Sequence, residues 1–174
     1  MRIILILLLQ LTGLEIFCQE NYPIPVKDGK MLFYFQRSCN TNTIVYELNK
    51  LQNGSINNDN PIVEYWILYN KGGARLDLSF IQRTAFGLQS ELLDKEKGNF
   101  ILHFSRYKKR SLYLVNTEGK YKVFIDINGT PAELNKIFIK CENNILGFPT
   151  VIHYVEISGK DIKTGNPVSE KIKP

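Results

Sequence analysis

The chain has 174 residues, 44% of them hydrophobic and 22% charged, which is ordinary globular composition and suits one domain with a single filled core rather than two domains. Its formal net charge of +5 is moderate and spread along the sequence. Nucleic acid is therefore not an expected partner, whereas anionic envelope polymers are compatible with this charge.

Residues 1–18 have the pattern of a secretory signal peptide. Arg2 precedes the aliphatic run 3–9, and a short, more polar piece ends at Cys18, as in leaders with a basic start, an apolar middle and a small cleavage residue. The run is short for a bilayer span, although a permanent anchor and a lipid on Cys18 are alternatives. We expect an exported protein, periplasmic or secreted, with no transmembrane segment after leader removal.

Leader removal leaves two cysteines, Cys39 and Cys141, in a compartment that permits disulfides. A bridge between them would close a loop of roughly 100 residues and could stabilise the fold by up to about 4 to 5 kcal/mol. The alternative is two separately buried thiols that pack as small apolar groups. The pair is therefore a disulfide candidate.

An extended lead-in, residues 19–30, precedes one predicted β domain over 31–174, because the lead-in contains two prolines and a glycine and lacks periodicity. The apolar run 31–35 is the first predicted strand. Residues 43–49 alternate as a half-buried strand should. The block 52–60 is rich in Asn, Asp and Gly, which is typical of a turn.

The stretch 60–69 is the most distinctive predicted strand. It carries the single tryptophan, Trp66, and its β-branched and aromatic residues make both alternating faces apolar, which predicts an interior strand of a sheet. Glu64 is its one charge. A carboxylate in such a strand must reach solvent, pair with a cation or take up a proton, so Glu64 marks a candidate site.

Short segments with strand periodicity continue to the end of the chain. Residues 76–86 are interpreted first as a strand, with a short helix over 77–87 as the alternative, and 90–98 as a polar connection. Further strands are predicted at 100–105, 112–115, 121–127, 132–140 and 150–158, and a helix with Thr130 as its N-cap is the alternative for 132–140. About nine short strands separated by turns predict an all-β fold, either an antiparallel β-sandwich or a closed β-barrel.

Motifs of the common catalytic sites are missing from the sequence. It has no nucleophile elbow, zinc-type cysteine spacing or phosphate loop. The two histidines, His103 and His153, share strand faces with aliphatic residues, which favours core positions. If their strands were adjacent, both imidazoles and Glu64 could form a metal-dependent or acid–base site, so a hydrolase-like enzyme is the alternative function.

The favoured site is a polar pocket that binds a ligand without turning it over. Arg83 could hold Glu64 ionised through a forked pair, and with Gln82 it would offer donors to a ligand carboxylate, phosphate or sugar hydroxyl. The predicted aromatic lining is Tyr46, Tyr65, Trp66 and Tyr69. The alternative is a structural ion pair in an aromatic core. We expect a small molecule or an anionic envelope polymer as partner, and no metal or cofactor.

Four segments carry a resemblance to a known family. They are residues 60–67, 81–87, 107–110 and 155–161. Together they resemble a bacterial family known only as a domain of unknown function, DUF4833, over nearly the whole mature chain. The resemblance implies an exported, compact domain and brings no activity, ligand or catalytic residue with it.

Overall fold

The computed structural model describes residues 22–143 and 149–174, and these contain eleven β-strands, one α-helix and a one-turn 3₁₀ helix. The predicted leader lies outside the described residues. The strands are β1 (Met31–Arg37), β2 (Asn40–Leu48), β3 (Ile62–Leu68), β4 (Ala74–Asp77), β5 (Leu88–Asp94), β6 (Asn99–Phe104), β7 (Tyr107–Thr117), β8 (Lys120–Ile127), β9 (Thr130–Asn143), β10 (Pro149–Asp161) and β11 (Pro167–Ile172). The 3₁₀ turn is Tyr69–Lys71, and the helix, α1, is Phe80–Phe86.

All eleven strands belong to one sheet, so the prediction of an all-β fold is confirmed at that level. The strand order is β4-β3-β2-β1-β9-β8-β7-β6-β5, with β10 beside β9 and β11 beside β10. The sheet curls into a half-barrel that does not close, because its end strands β4 and β5 are not paired with each other. Neither a sandwich nor a closed barrel is confirmed.

The long strand β9 joins the two arms of this sheet. It pairs with β8 through Thr130–Glu133 and with β1 through Lys136–Ile139. The β1–β9 pair is parallel, whereas the other strand pairs in the described part of the chain are antiparallel. One arm therefore runs from β1 to β4 and the other from β8 to β5.

Both arms pack on one aromatic and aliphatic core on the inner face of the sheet. Phe33 of β1 stacks on Tyr46 of β2 with ring centroids 4.3 Å apart. Tyr46 in turn meets Phe104 of β6 edge-on at 5.9 Å. Because β2 and β6 lie in opposite arms, these contacts show that the arms share a core. Other large, fully buried members are Ile44, Phe100, Leu102, Leu112, Leu114, Ile127 and Leu134.

The strand that carries the single tryptophan is confirmed as β3. It pairs with β2 on one side and with β4 on the other, which leaves it one strand in from an edge. Ile62 and Trp66 are buried, and the residues between them are half-buried. The four residues of β4 are exposed, so β3 is paired on both sides without being at the centre of the sheet.

The segment 76–86 is where the strand prediction is wrong. Its first two residues belong to β4, but residues 80–86 form α1, the helix that was the alternative. Ser79 accepts from the backbone N–H of Gln82, whose side chain accepts from the Ser79 N–H at 2.9 Å. This reciprocal capping box starts a helix despite the alternating apolar residues before it. The predicted connection 90–98 is wrong in its first part, since β5 reaches Asp94.

Candidate functional site

Glu64 anchors the chain that leaves α1. Its carboxylate, on the inner face of β3, accepts the backbone N–H of Leu88 at 2.9 Å. Leu88 is the first residue of β5, so this bond ties one arm of the sheet to the end strand of the other. Burial raises the pKa of Glu64, and the Leu88 N–H and the charge of Arg83 only partly oppose that.

Tyr46 holds the other side of residues 86–88, the crossing segment, through which the chain passes from α1 to β5. It has no exposed surface, and its hydroxyl donates to the backbone carbonyl of Phe86 at 2.7 Å. Burial raises the pKa of Tyr46 well above its usual value, and the charge of Glu64 adds to this. Between the two bonded residues lies Gly87, where a Cβ would stand 2.5 Å from the carbonyl oxygen of Arg83. The crossing is therefore tightly packed and its polar groups are satisfied.

Two further predicted site residues, Gln82 and Arg83, make hydrogen bonds at the start of α1. The Gln82 side chain is occupied in the capping box with Ser79. Arg83 is exposed, and its Nε donates to the backbone carbonyl of Leu78 at 3.1 Å. Among the described side chains no ion pair joins Arg83 to Glu64. The forked pair expected from the sequence is not formed, and Arg83 acts on Glu64 through its charge alone.

The predicted aromatic lining is divided between the two faces of the sheet. Trp66 is 5% exposed and belongs to the inner core with Tyr46. Tyr69 lies beyond the end of β3 in the 3₁₀ turn and is near Tyr34. Tyr34 alternates with Phe33 and Phe35 of the core, so its side of the sheet is the outer one. The structure thus brings Glu64, Tyr46 and Trp66 together and places Tyr69 away from them.

The two histidines are not brought together. His103 lies on β6 and His153 on β10, whose partners are β9 and β11. His153 is exposed, contrary to the core position expected for it, and its Nε2 is 3.0 Å from Oε1 of Glu142. Within residues 22–143 and 149–174, no three His, Cys, Asp or Glu side chains are grouped to hold a metal ion.

The disulfide candidates are neighbours, although no bridge joins them in the structure. Cys39 follows the end of β1, and Cys141 lies two residues beyond Ile139, the register partner of Arg37. Ser38 fixes this register, since its hydroxyl accepts from the Cys141 N–H at 2.9 Å and donates to its carbonyl at 2.8 Å. Burial, together with a hydrogen bond to Cys141, raises the pKa of Cys39 to about 11.

Arg37 is the residue that the sequence did not single out. It is the last residue of β1 and only 7% exposed. Its guanidinium carbon lies 5.5 Å from the ring centroid of Trp66 and 5.4 Å from that of Phe86. None of the ion pairs in the described ranges includes it, and its Nε is sealed from solvent without a hydrogen-bond partner. The apolar run 31–35, which predicted the first strand, ends two residues before it.

A cleft of about 250 Å³ opens in a different region, against β9 and β10. Lys27, Glu133 and Lys160 contribute charges to its wall. Lys27 donates to the side-chain oxygen of Asn135 at 2.8 Å, and Glu133 pairs with Lys122 at 2.6 Å. Its lining includes no residue of the predicted pocket, and two of its charged groups already have partners.

The geometry defines an all-β domain with an open half-barrel sheet, a helix that links its two edges, and a buried cation at one end of its inner face. The chain belongs to the family described as a domain of unknown function (DUF4833), whose model matches residues 33–171. No curated protein and no solved structure matches the chain. In the described part of the chain, no helix has the length and apolar character needed to cross a membrane.

Proposed function

We propose that this chain is an exported, non-enzymatic binding domain whose ligand is a small molecule or an anionic envelope polymer. One observation carries the proposal: two N–H donors on the inner face near α1 are left without acceptors. Nε of Arg37 and Nε1 of Trp66 are both buried and have no hydrogen-bond partner. Because nearly all buried polar groups in proteins are satisfied, an adjacent pair of unused donors favours a ligand that supplies the acceptor.

The placement of the ionisable groups favours binding over hydrolysis. The hydrolase-like alternative needs Glu64 beside His103 or His153, but Glu64 accepts the backbone N–H of Leu88, and the carboxylate beside His153 is that of the exposed Glu142. General acid–base catalysis requires the two groups to reach the same substrate atoms. Export is proposed from the leader pattern of residues 1–18.

In this proposal the half-barrel acts as a barrel whose open side is filled by α1. Tyr46 and Glu64 hold the C-terminal end of the helix through the backbone of Phe86 and Leu88. The N-terminal end is held less firmly, since Phe80 is 86% exposed and Ile81 is 72% exposed. Segments with few buried contacts open at low free energy, so α1 is suited to admit a ligand.

The test is a thermal-shift screen of the purified exported chain against sugars, lipids, carboxylates, nucleotides and divalent metals. A ligand that binds only the folded state raises Tm by mass action. Replacing Glu64 by Gln weakens the shift if the site is on the inner face, whereas Glu91→Gln on the exposed surface of β5 leaves it unchanged. If no compound class raises Tm, the proposed function is refuted.

A further inference from the structure

We propose that Arg37 and Trp66 form a binding site for a carboxylate group, with the apolar body of the ligand packed near Phe86 at the end of α1. This inference rests on the proposed binding function. It adds the chemical class of the ligand and the residue that selects it.

Arg37 carries a buried charge. A cation that is 7% exposed is strongly disfavoured in a protein unless an acid or a set of acceptors compensates it. Burial accordingly lowers the pKa of Arg37, with only partial compensation from the neighbouring cysteines. Cys39 supplies no negative charge near neutral pH, because its own pKa is raised to about 11. The fold therefore retains a buried charge that it does not neutralise.

Two aromatic rings hold the guanidinium of Arg37. The rings of Trp66 and Phe86 both lie within 5.5 Å of its carbon, a distance at which cation–π attraction fixes a guanidinium without using any of its N–H groups. Of the guanidinium nitrogens, only Nε is both sealed from solvent and without a partner, so the terminal amino groups keep some contact with solvent although Arg37 is only 7% exposed. The fork of donors is thus positioned and left unused.

The guanidinium donors match the geometry of a carboxylate. An Arg fork pairs with the two oxygens of a carboxylate in one plane. The indole N–H of Trp66 is sealed and unpaired in this structure, and it becomes a further donor when α1 moves to admit the ligand. Phe86 packs on Phe35 at 5.2 Å and on Trp66 at 6.2 Å, so the surroundings favour an apolar ligand body. A single buried cation balances one negative charge, which suits a carboxylate better than a phosphate dianion.

The experiment uses the tryptophan emission of the folded chain, because Trp66 is its single tryptophan and reports on this site alone. Hexanoate is the probe, with inorganic phosphate and sulfate as competing anions. We expect saturable binding of hexanoate with a Kd on the order of 1 mM. Arg37→Met should weaken it at least about thirtyfold, and Arg37→Lys, which keeps the charge but loses the fork, by less. The matched control Arg106→Met removes an exposed charge in the turn between β6 and β7 and should leave the Kd unchanged.

A stability measurement separates a binding role from a structural one. If Arg37 is retained for a ligand, Arg37→Met removes an uncompensated buried charge, and its urea midpoint without ligand equals or exceeds that of the natural chain. A lower midpoint would show that Arg37 supports the fold, and would overturn the inference.

The remaining outcomes are equally decisive. An equal hexanoate response in the natural chain and in Arg37→Met places the binding elsewhere, and an Arg37-dependent response to phosphate or sulfate in place of hexanoate contradicts the carboxylate class. If hexanoate does not bind but the broader screen finds another ligand, this inference fails and the proposed function stands. If no compound binds in either experiment, both fail.

Discussion

Tyr46→Phe tests whether the crossing segment after α1 is held by its hydrogen bonds. The substitution keeps the ring that stacks on Phe33 at 4.3 Å and removes only the hydroxyl that donates to Phe86 at 2.7 Å. The carbonyl of Phe86 then lies next to a fully buried ring without that donor. Leaving a buried acceptor unsatisfied costs about 1 to 3 kcal/mol, so the free energy of unfolding should fall by that amount.

Urea unfolding followed by the emission of Trp66 measures this loss directly, and in a domain of this size Tm should fall by roughly 2 to 12 °C. The matched control is Tyr113→Phe, because Tyr113 is 42% exposed on β7; exposed substitutions of this kind stay within about 0.5 kcal/mol. Amide exchange at Leu88, whose N–H is bonded to Glu64, should become faster in Tyr46→Phe. If Tyr46→Phe is as stable as the control, the hydroxyl does not hold the segment and the reasoning is wrong.

Three other outcomes follow from the contacts around this segment. The pKa of Glu64 is raised above its ordinary value of 4.5, so the folded state binds the proton of this carboxyl group more tightly than the unfolded chain does. The stability that results is complete below pH 4.5 and is lost as pH rises through the folded pKa. Glu64→Gln should remove that pH dependence in urea titrations, and an unchanged profile would contradict the assignment. Gly87→Ala places a Cβ 2.5 Å from the Arg83 carbonyl oxygen and should cost about 1 to 3 kcal/mol of stability, measured by the same unfolding assay; equal stability would show that the crossing is loose. Since Cys39 and Cys141 are in hydrogen-bond contact, we expect them to be bridged when the protein is kept under oxidising conditions, so that reductant raises its intact mass by two hydrogens. Two alkylatable thiols in the untreated protein would rule the bridge out.

The strand content of the fold could be predicted because the pattern that specifies it is local. β8 buries alternate residues from Val123 to Ile127, and period-two alternation is visible in any short window of sequence. β2 is also a strand, although residues 43–48 are buried on both faces and not half-buried as their alternation predicted. The α1 segment was wrongly interpreted because two local signals conflict there. Leu76 and Leu78 alternate as in a strand, while Ser79 and Gln82 have the spacing of a capping box. A helix-start signal of this kind should outweigh alternation that covers only one or two repeats.

The partner of Glu64 could not have been predicted in the same way. The requirement itself was clear, because a carboxylate in an apolar strand needs a donor or a cation. The donor proved to be the backbone N–H of Leu88, which is 24 residues away and on the end strand of the opposite arm. Its position depends on how the sheet curls. The sheet in turn depends on the parallel pairing of β1 with β9, which no local pattern specifies.

Phe86 takes part in two groups of contacts on the inner face, the hydrogen bonds that hold the crossing segment and the ring contacts of Arg37. Its backbone carbonyl accepts from Tyr46, and its ring lies against the guanidinium of Arg37 and near Trp66. The residue that Tyr46 anchors at its backbone is thus the same one that Arg37 contacts at its ring. A carboxylate that draws Arg37 away from the Phe86 ring would therefore change the packing at the end of α1, whereas a purely structural Arg37 would leave α1 unaffected by added anions.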